Sequence, residues 1–188
     1  MYTEHDKGIT VYCASSTKID RMYFDAAREL GREIAARNLP VINGGGRMGL
    51  MAAVSDGALQ AGGRAIGVIP QFMVDQGRNH PGLTETIITA DMHERKRIMA
   101  SLALGVIALP GGVGTLEEMT EMMTWRKLRL FAGNVVIYNV NGYYDDMIAQ
   151  LRRAVAEGFT SATDAEPRLV STSAAMAVDM ALGLHNKE

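Results

Sequence analysis

The chain of 188 residues is poor in cysteine, in long apolar runs and in excess charge of either sign. Its single cysteine, Cys13, cannot form an internal disulfide, and no cysteine cluster of the kind that binds zinc exists. No stretch approaches the roughly 18 apolar residues that span a bilayer. The polar N-terminus, MYTEHDKG, lacks the apolar core of a signal peptide. We therefore expect a cytoplasmic protein without a metal site or a membrane partner.

The small net charge narrows the choice of partner. The formal net charge is −2, so we expect neither a nucleic acid nor an anionic membrane surface as partner. A small anionic ligand stays open, because backbone N–H groups at a helix N-terminus can hold one without net positive charge. Hydrophobic residues make up 47% of the chain, which suits a globular domain with a real core.

Short apolar runs alternate along the chain with longer segments of helical period. Examples of the apolar runs are Gly8 to Cys13, Ala65 to Ile69 and Gly105 to Leu109. The alternation predicts an α/β fold, with a single doubly wound, mostly parallel Rossmann-like sheet and helices on both faces. No repeat or linker divides residues 1–188, so we predict one domain. The stretch from Gln71 to Gly82 has no clear period and is interpreted as a surface loop that could lie over a ligand site.

The first of two glycine-rich loops is Gly44-Gly45-Gly46-Arg47-Met48-Gly49, which fits the pattern G-x-G-x-x-G. A dinucleotide site would also have an acidic residue about 20 positions further on, at the end of the next strand. That strand ends Val68-Ile69-Pro70-Gln71 without an acid, and the loop follows the second predicted strand. Both facts argue against NAD. The loop can bind an anion, or it can serve only as a tight turn beneath a closely packed helix.

The second loop is Pro110-Gly111-Gly112-Val113-Gly114-Thr115, directly after a buried strand. Glycines allow backbone N–H groups to converge on an anion without a Cβ clash, and the helix dipole adds to this. Thr115 can cap the helix or bond a phosphate oxygen. No glycine in the chain is followed by lysine, so a Walker motif for triphosphates is absent. The pattern favours a phosphate site, and a purely structural turn is the alternative.

Two charged residues break the apolar pattern of their helices. Glu118 projects on the same side as Thr115, about one turn from the predicted phosphate, where a carboxylate could reach a ribose. Its neighbours Glu117 and Glu121 are expected to face solvent. Arg95 falls on the apolar stripe of the preceding helix, and a guanidinium there usually has an anionic partner or ligand. The alternative for Arg95 is a side chain that snorkels from the rim.

An arginine, a carboxylate and two anion-binding loops could support cleavage of a glycosidic bond. That reaction develops positive charge on the sugar, which a carboxylate near the ribose would stabilise while it orients or activates water. A cation near the base could take up charge on the leaving group. The spacing alone does not identify the reaction, because a non-catalytic nucleotide or cofactor carrier would also need the loops. A carrier would not need the carboxylate.

Five sets of residues occur in a recognisable order: Gly44-Gly45-Gly46 with Gly49-Leu50-Met51, Met92-His93-Glu94-Arg95-Lys96, Pro110 to Glu118, Thr124-Trp125 and Asn141-Gly142-Tyr143-Tyr144. Together they resemble the Lonely Guy (LOG) family of cytokinin-activating phosphoribohydrolases, whose older members were labelled possible lysine decarboxylases. The resemblance covers roughly residues 8 to 160, and it is far more specific than either glycine loop alone.

The resemblance implies a Rossmann-like fold, a homodimer, and hydrolysis of N6-modified AMP to the free base and ribose 5-phosphate. It implies no metal and no organic cofactor. It implies Arg95 and Glu118 as the catalytic pair. With the two glycine loops, the expected substrate-binding residues are Gly44, Gly45, Gly46, Lys96, Gly111, Gly112, Val113, Gly114, Thr115, Leu116, Glu117 and Thr124.

Two features depart from the family's pattern and leave the preferred base open. Val113 stands where many plant members carry an aromatic residue, and an acidic substrate contact expected within residues 71–82 is not evident. The base can therefore be a cytokinin, adenine or another purine. A pyridoxal decarboxylase would need a Schiff-base lysine, and no recognisable motif of that kind surrounds any of the five lysines, Lys7, Lys18, Lys96, Lys127 and Lys187.

Overall fold

A computed structural model describes residues 6–161 and 169–184. The first five residues of the polar N-terminal stretch lie outside these ranges, as does Lys187. Within the described ranges, no helix combines the length and the apolar character that a membrane crossing requires.

One parallel sheet of seven strands runs through the described part of the chain. Its strands are β1 Gly8–Tyr12, β2 Val41–Asn43, β3 Ala65–Pro70, β4 Glu85–Thr89, β5 Ala103–Ala108, β6 Val135–Tyr138 and β7 Val170–Ser171. The helices are α1 Arg21–Ala36, α2 Gly49–Gln60, α3 Gln71–Asp75, α4 Met92–Leu102, α5 Val113–Lys127, α6 Asp145–Ala156 and α7 Ala174–Ala181, with a 3₁₀ turn at Val140–Gly142. The strand order is β4-β3-β2-β1-β5-β6-β7. The predicted α/β fold with a doubly wound parallel sheet is confirmed.

Side chains of each strand alternate between two core layers, one on each face of the sheet. The strand order in turn predicts where a ligand cleft opens. In β1, Ile9 and Val11 face a layer built with α1, α2 and α7, whereas Thr10 and Tyr12 face α4 and α5. From β1 the chain adds strands on one side as far as β4, and then crosses to β5 on the other side of β1. The loops after β1 and β5 therefore diverge, and a ligand cleft is expected at their carboxyl ends.

Local signals explain where several elements begin and end. Helix α4 begins with a side-chain cap, since the Asp91 side chain accepts a 2.7 Å hydrogen bond from the Glu94 N–H. The stretch interpreted as a loop after Pro70 instead begins with α3, which is too short to produce a helical period in the sequence. Helix α5 ends at Lys127 because the chain turns at Arg129, which adopts a φ of 61°.

The first glycine loop is positioned by an unusually close contact between α1 and α2. A Cβ at Gly31 would lie 2.1 Å from the Val54 carbonyl oxygen, and a Cβ at Gly57 would lie 2.2 Å from the Arg28 carbonyl oxygen. Only glycine permits two helix backbones to approach in this way. The contact fixes α2, whose N-terminus carries the loop, against the rest of the domain.

We expect Gly57→Ala to lower the free energy of unfolding by about 2 kcal/mol, because the added Cβ forces the two helices apart. Gly114→Ala is the matched control, since a Cβ at this helical glycine meets nothing within 4 Å. Alanine there should leave stability unchanged or raise it by up to about 1 kcal/mol. Urea denaturation of both variants measures the difference. Equal stability of the two would contradict a close α1–α2 contact.

Candidate active site

Both glycine loops open onto one cavity of about 980 Å³ at the carboxyl ends of the strands. The first loop contributes Gly44 and Gly46 to its lining, and the second contributes Gly112, Gly114 and Thr115. The cavity also contains Arg95 from α4 and Glu118 from α5. The structure thus brings together, around one cleft, the two loops and the two charged residues that the sequence singled out.

The first loop is shaped by Asn43 and by the space that Gly44 leaves. The Asn43 side chain accepts a hydrogen bond from the Gly45 N–H at 2.8 Å and donates to Ser55 at 2.9 Å. Gly45 has a φ of 69°, which favours glycine. A Cβ at Gly44 would overlap the guanidinium of Arg95. These glycines therefore do more than form a tight turn, since one of them provides the space in which Arg95 lies.

The second loop presents free backbone donors to the cavity. Helix α5 begins at Val113 without a side-chain cap, so its first N–H groups have no intrahelical partner. Thr115 is 4% exposed and its side chain lines the cavity. From below, the Tyr143 hydroxyl donates to the Gly111 carbonyl at 2.8 Å and thereby holds the loop. An uncapped helix N-terminus of this kind suits a phosphate.

Arg95 is buried inside the domain rather than extended from its rim. It is 6% exposed. Its Nε donates to the Val68 carbonyl at 2.9 Å, and its Nη2 donates to the Gly44 carbonyl at 3.2 Å. Its Nη1 lies 3.9 Å from Oε1 of Glu118. The snorkelling alternative is therefore excluded, and the guanidinium has a fixed orientation beside one carboxylate.

Glu118 is a carboxylate in a poorly solvated position. Its side chain is 14% exposed. Burial raises the pKa of Glu118 to about 7, although the nearby charge of Arg95 acts to lower it. A carboxyl with such a pKa can exchange a proton near neutral pH, as a general acid or base must.

Lys96 links α4 to α5 beside this pair. Its ammonium group contacts the carboxylate of Glu117 and lies 3.1 Å from that of Glu121. Glu117 is exposed, as expected, whereas Glu121 is half-buried rather than facing solvent, and α4 packs close enough for Lys96 to reach both. Burial alone would lower the pKa of Lys96, but the two carboxylates outweigh it and raise that pKa. A lysine held charged in this way is unsuited to form a Schiff base.

Several expected binding residues lie outside the cavity of this chain. Gly45 and Gly111 belong to the glycine loops but do not line the cavity, and Lys96 lies beside it. The remaining three are on α5. Val113 is 83% exposed, Leu116 is half-buried, and the exposed Thr124 donates to the Thr120 carbonyl of its own helix. Their roles in substrate binding stay predictions.

One wall of the cavity comes from the stretch after Pro70, which the sequence suggested could lie over a site without identifying its residues. Residues 73–78 supply four lining residues: Met73, Gln76, Gly77 and Arg78. This wall is attached to the first glycine loop, because the His80 N–H donates to the Gly45 carbonyl and the Arg47 N–H donates to the Arg78 carbonyl, each at 2.9 Å. These bonds flank an isolated antiparallel bridge between Gly46 and Asn79, a pairing that no local pattern in the sequence predicts.

Within the described ranges, no group of three or more His, Cys, Asp or Glu side chains is placed to hold a metal ion. The polar groups in the cavity are instead those that suit an anionic organic ligand. They include backbone N–H groups, a threonine hydroxyl and the Arg95–Glu118 pair, and the lining also contains Ser15, Ser16, Arg47, Gln76, Arg78 and Glu117.

Comparison with known proteins places this geometry in a family. A family model described as "Possible lysine decarboxylase" matches residues 51–181. A cytokinin riboside 5′-monophosphate phosphoribohydrolase of Arabidopsis thaliana is 42% identical over 157 residues, covering 84% of this chain and 74% of that protein. A protein of the same description from Rhodococcoides fascians is 42% identical over 154 residues, covering 81% and 78% respectively. The chain belongs to the Lonely Guy family.

The fold is shared more widely than the Lonely Guy family. A solved structure of a molybdenum cofactor carrier protein from Chlamydomonas reinhardtii is similar with a TM-score of 0.67 and 25% identity, over 92% of this chain and 94% of that one. The scaffold alone therefore does not distinguish an enzyme from a carrier, and the side chains in the cleft must do so.

The raised pKa of Glu118 predicts a specific dependence of stability on pH. A carboxyl whose pKa is higher in the folded than in the unfolded protein favours folding fully below its ordinary value of 4.5. This contribution is lost as the pH rises through about 7. From pH 4.5 to pH 8 the wild type should therefore lose up to about 3 kcal/mol relative to Glu118→Gln.

The difference between the two proteins is the quantity to measure, because all other titrating groups are common to both. Urea denaturation at a series of pH values gives it. Parallel stability curves for the wild type and Glu118→Gln would show that Glu118 keeps an ordinary pKa.

Proposed function

We propose that this protein hydrolyses the N-glycosidic bond of a purine nucleoside 5′-monophosphate and releases the free base and ribose 5-phosphate. The observation that carries the proposal is the buried Arg95–Glu118 pair, set between two glycine loops in one cleft. The relatives' own description as cytokinin riboside 5′-monophosphate phosphoribohydrolases supports it.

The N-terminus of α5 is the proposed site of the 5′-phosphate. Gly112 and Gly114 leave the backbone N–H groups accessible, and the Thr115 hydroxyl lines the same part of the cavity. The helix dipole favours negative charge at this end. With the phosphate held there, the ribose of the substrate would lie one turn further along the helix, beside Glu118.

Glu118 and Arg95 are the proposed catalytic pair. Positive charge develops on the sugar as the glycosidic bond breaks, and the Glu118 carboxylate would stabilise it and accept a proton from the attacking water. The buried guanidinium of Arg95 would stabilise negative charge on the departing base. Because its Nε and Nη2 are bound to backbone carbonyls, Arg95 needs no reorganisation during the step.

The opposite end of the cavity is the proposed base site. Five methionines line the cavity: Met48, Met51, Met73, Met92 and Met99. Methionine side chains adapt to apolar groups of different shape, so this lining suits an N6-alkylated adenine. The same lining also accommodates unmodified adenine. The rates of base release from AMP and from isopentenyl-AMP therefore decide which base is preferred.

Glu118→Gln should lower the rate of base release from AMP by at least about 100-fold, because the amide cannot accept the proton. Binding of AMP should be largely kept, since the phosphate site is untouched. Chromatography of the free base, from AMP and from isopentenyl-AMP, measures both the loss and the preferred base. Glu157→Gln, an exposed glutamate near the end of α6, is the control. Undiminished turnover in Glu118→Gln would refute the assigned role.

Arg95→Ala should also lower turnover by at least about 100-fold, since the charge that faces the leaving base is lost. The control is Arg97→Ala, because Arg97 is an exposed arginine two residues further along α4. Steady-state kinetics with AMP compare the two variants. If both retained wild-type kinetics, Arg95 would be a structural residue only.

A nucleotide or cofactor carrier on the same scaffold is the second candidate, and the fold shared with a molybdenum cofactor carrier protein favours it. A carrier would bind AMP or a related anion without releasing a base. Wild-type protein that binds AMP but releases no base from either substrate would establish this alternative. Base release by the wild type but not by Glu118→Gln would establish the hydrolase.

We further propose a cytoplasmic homodimer whose only partners are a second copy and a small nucleotide. Support comes from the exposed apolar side chains at the two ends of α5 and just beyond it, namely Val113, Leu128 and Leu130. A second copy covering them would also bring Leu116 and Thr124 near an interface. Sedimentation should therefore give about twice the chain mass of 20.3 kDa. A particle of single-chain mass at micromolar concentration would contradict the dimer.

A further inference from the structure

The hydroxyl of Tyr12 is a buried polar group for which the described chain supplies no partner. Tyr12 is only 2% exposed. Tyr143 and Tyr144 donate to loop carbonyls at 2.8 and 2.7 Å, but the Tyr12 hydroxyl forms no hydrogen bond with residues 6–161 or 169–184. A buried hydroxyl without a partner is costly, so this one requires an explanation.

The Tyr12 hydroxyl retains access to the cavity. Residues 6–161 and 169–184 contain no fully occluded side-chain nitrogen or oxygen that lacks a partner. The hydroxyl is therefore the tip of a residue that lines the cavity. The oxygen is thus barely open to the cavity, and a single water in the floor of the site would satisfy it.

The register of β1 against α4 places Tyr12 at the height of Arg95. The Thr10 hydroxyl donates to the Met99 carbonyl at 2.9 Å. Tyr12 follows two residues later on the same face of the strand, about 6.6 Å nearer the carboxyl edge of the sheet. Arg95 precedes Met99 by one turn of a helix that runs antiparallel to the strand, about 6 Å nearer the same edge. The two side chains therefore reach the same level.

Glu118 is the charged group that acts most strongly on the Tyr12 hydroxyl. Burial raises the pKa of Tyr12 far above its ordinary value, and among the neighbouring charges Glu118 contributes most to this rise. Tyr12 thus stays neutral at any working pH and always offers one O–H donor and an acceptor oxygen. Both residues line the same cavity and are not hydrogen-bonded to each other, an arrangement that one bridging water would satisfy.

We propose that Tyr12 is a positioning residue whose hydroxyl, together with the Glu118 carboxylate, holds the water that attacks the substrate. The inference rests on the proposed hydrolysis. The bond from the water oxygen to C1′ forms while the bond from C1′ to the base nitrogen breaks and leaves its electron pair on the base. One water proton passes to Glu118, and the base nitrogen takes up a proton from solvent. Tyr12 keeps its own proton and donates its O–H to one lone pair of the water, whose other lone pair attacks C1′, and the second water proton stays on the new hydroxyl of the ribose.

The test is Tyr12→Phe, which keeps the ring in the core and removes only the hydroxyl. The expected kcat for AMP is about tenfold lower, the effect of one hydrogen bond lost in the transition state. KM should stay within about twofold, because the hydroxyl does not touch the substrate. The rising limb of the pH–rate profile should also move to higher pH. The reason for this shift is that the charged form of Glu118 loses a water-mediated contact in the variant. The other charged groups around Glu118 are unchanged, namely Arg95, Lys96, Glu117 and Glu121.

Tyr138→Phe is the matched control, since Tyr138 is a buried tyrosine of β6 in the other core layer, away from the catalytic pair. Its kinetics should equal those of the wild type. The thermal stability of Tyr12→Phe should equal or exceed the wild-type value, because no protein hydrogen bond is lost, and this checks that the variant folds.

The possible outcomes separate this inference from the proposed function. Wild-type kcat and pH profile in Tyr12→Phe would overturn the role of Tyr12 and leave the hydrolase intact. A higher KM at constant kcat would overturn it too, since the hydroxyl would then contact the substrate. No base release by the wild type would refute both proposals together.

Discussion

The burial of the Arg95 guanidinium is the interaction on which the architecture of the cleft depends. Its bonds to the carbonyls of Val68 and Gly44 join α4 to the ends of β3 and β2. Residue 44 must be glycine because any side chain would occupy the position of the guanidinium. A buried cation also requires negative charge nearby, and the single carboxylate at 3.9 Å, Glu118, supplies it only loosely. An electron-rich ligand in the cavity would complete the compensation.

Some helix N-termini in the described ranges have a side-chain cap and others do not. Helices α1, α4 and α7 begin with side-chain caps from Asp20, Asp91 and Ser173, respectively. Helices α2 and α5, which follow the two glycine loops, have no such cap. Uncapped N–H groups lower the stability of a helix unless another acceptor satisfies them. Helices α3 and α6 lack a side-chain cap as well, and the Leu50 N–H of α2 donates to the Ala14 carbonyl at 2.8 Å. The uncapped start of α5 is therefore the end at which a ligand in the cavity could accept hydrogen bonds.

Features encoded by local pattern could be predicted, and features that depend on packing between distant segments could not. The parallel sheet, both loops, the buried Arg95 and the direction of Glu118 all follow from periods and turn signals within a few residues. The contacts of Lys96 with Glu117 and Glu121 join residues 21 and 25 positions apart, and they depend on how closely α4 approaches α5. The pairing of the stretch after Pro70 with the first glycine loop and the unsatisfied Tyr12 hydroxyl likewise appear only when the distant segments are packed together.

The same packing explains why three glutamates in five residues of α5 have different environments. Lys96 engages Glu117 and Glu121 on the side of the helix that faces α4. Glu118, turned by about 100° around the helix, enters the cleft without a close ion pair. The negative charges of Glu117 and Glu121 act to raise the pKa of Glu118, and the positive charge of Lys96 acts to lower it. By holding its two partners, Lys96 limits how far burial can neutralise Glu118, and so it acts on the chemistry without lining the cavity.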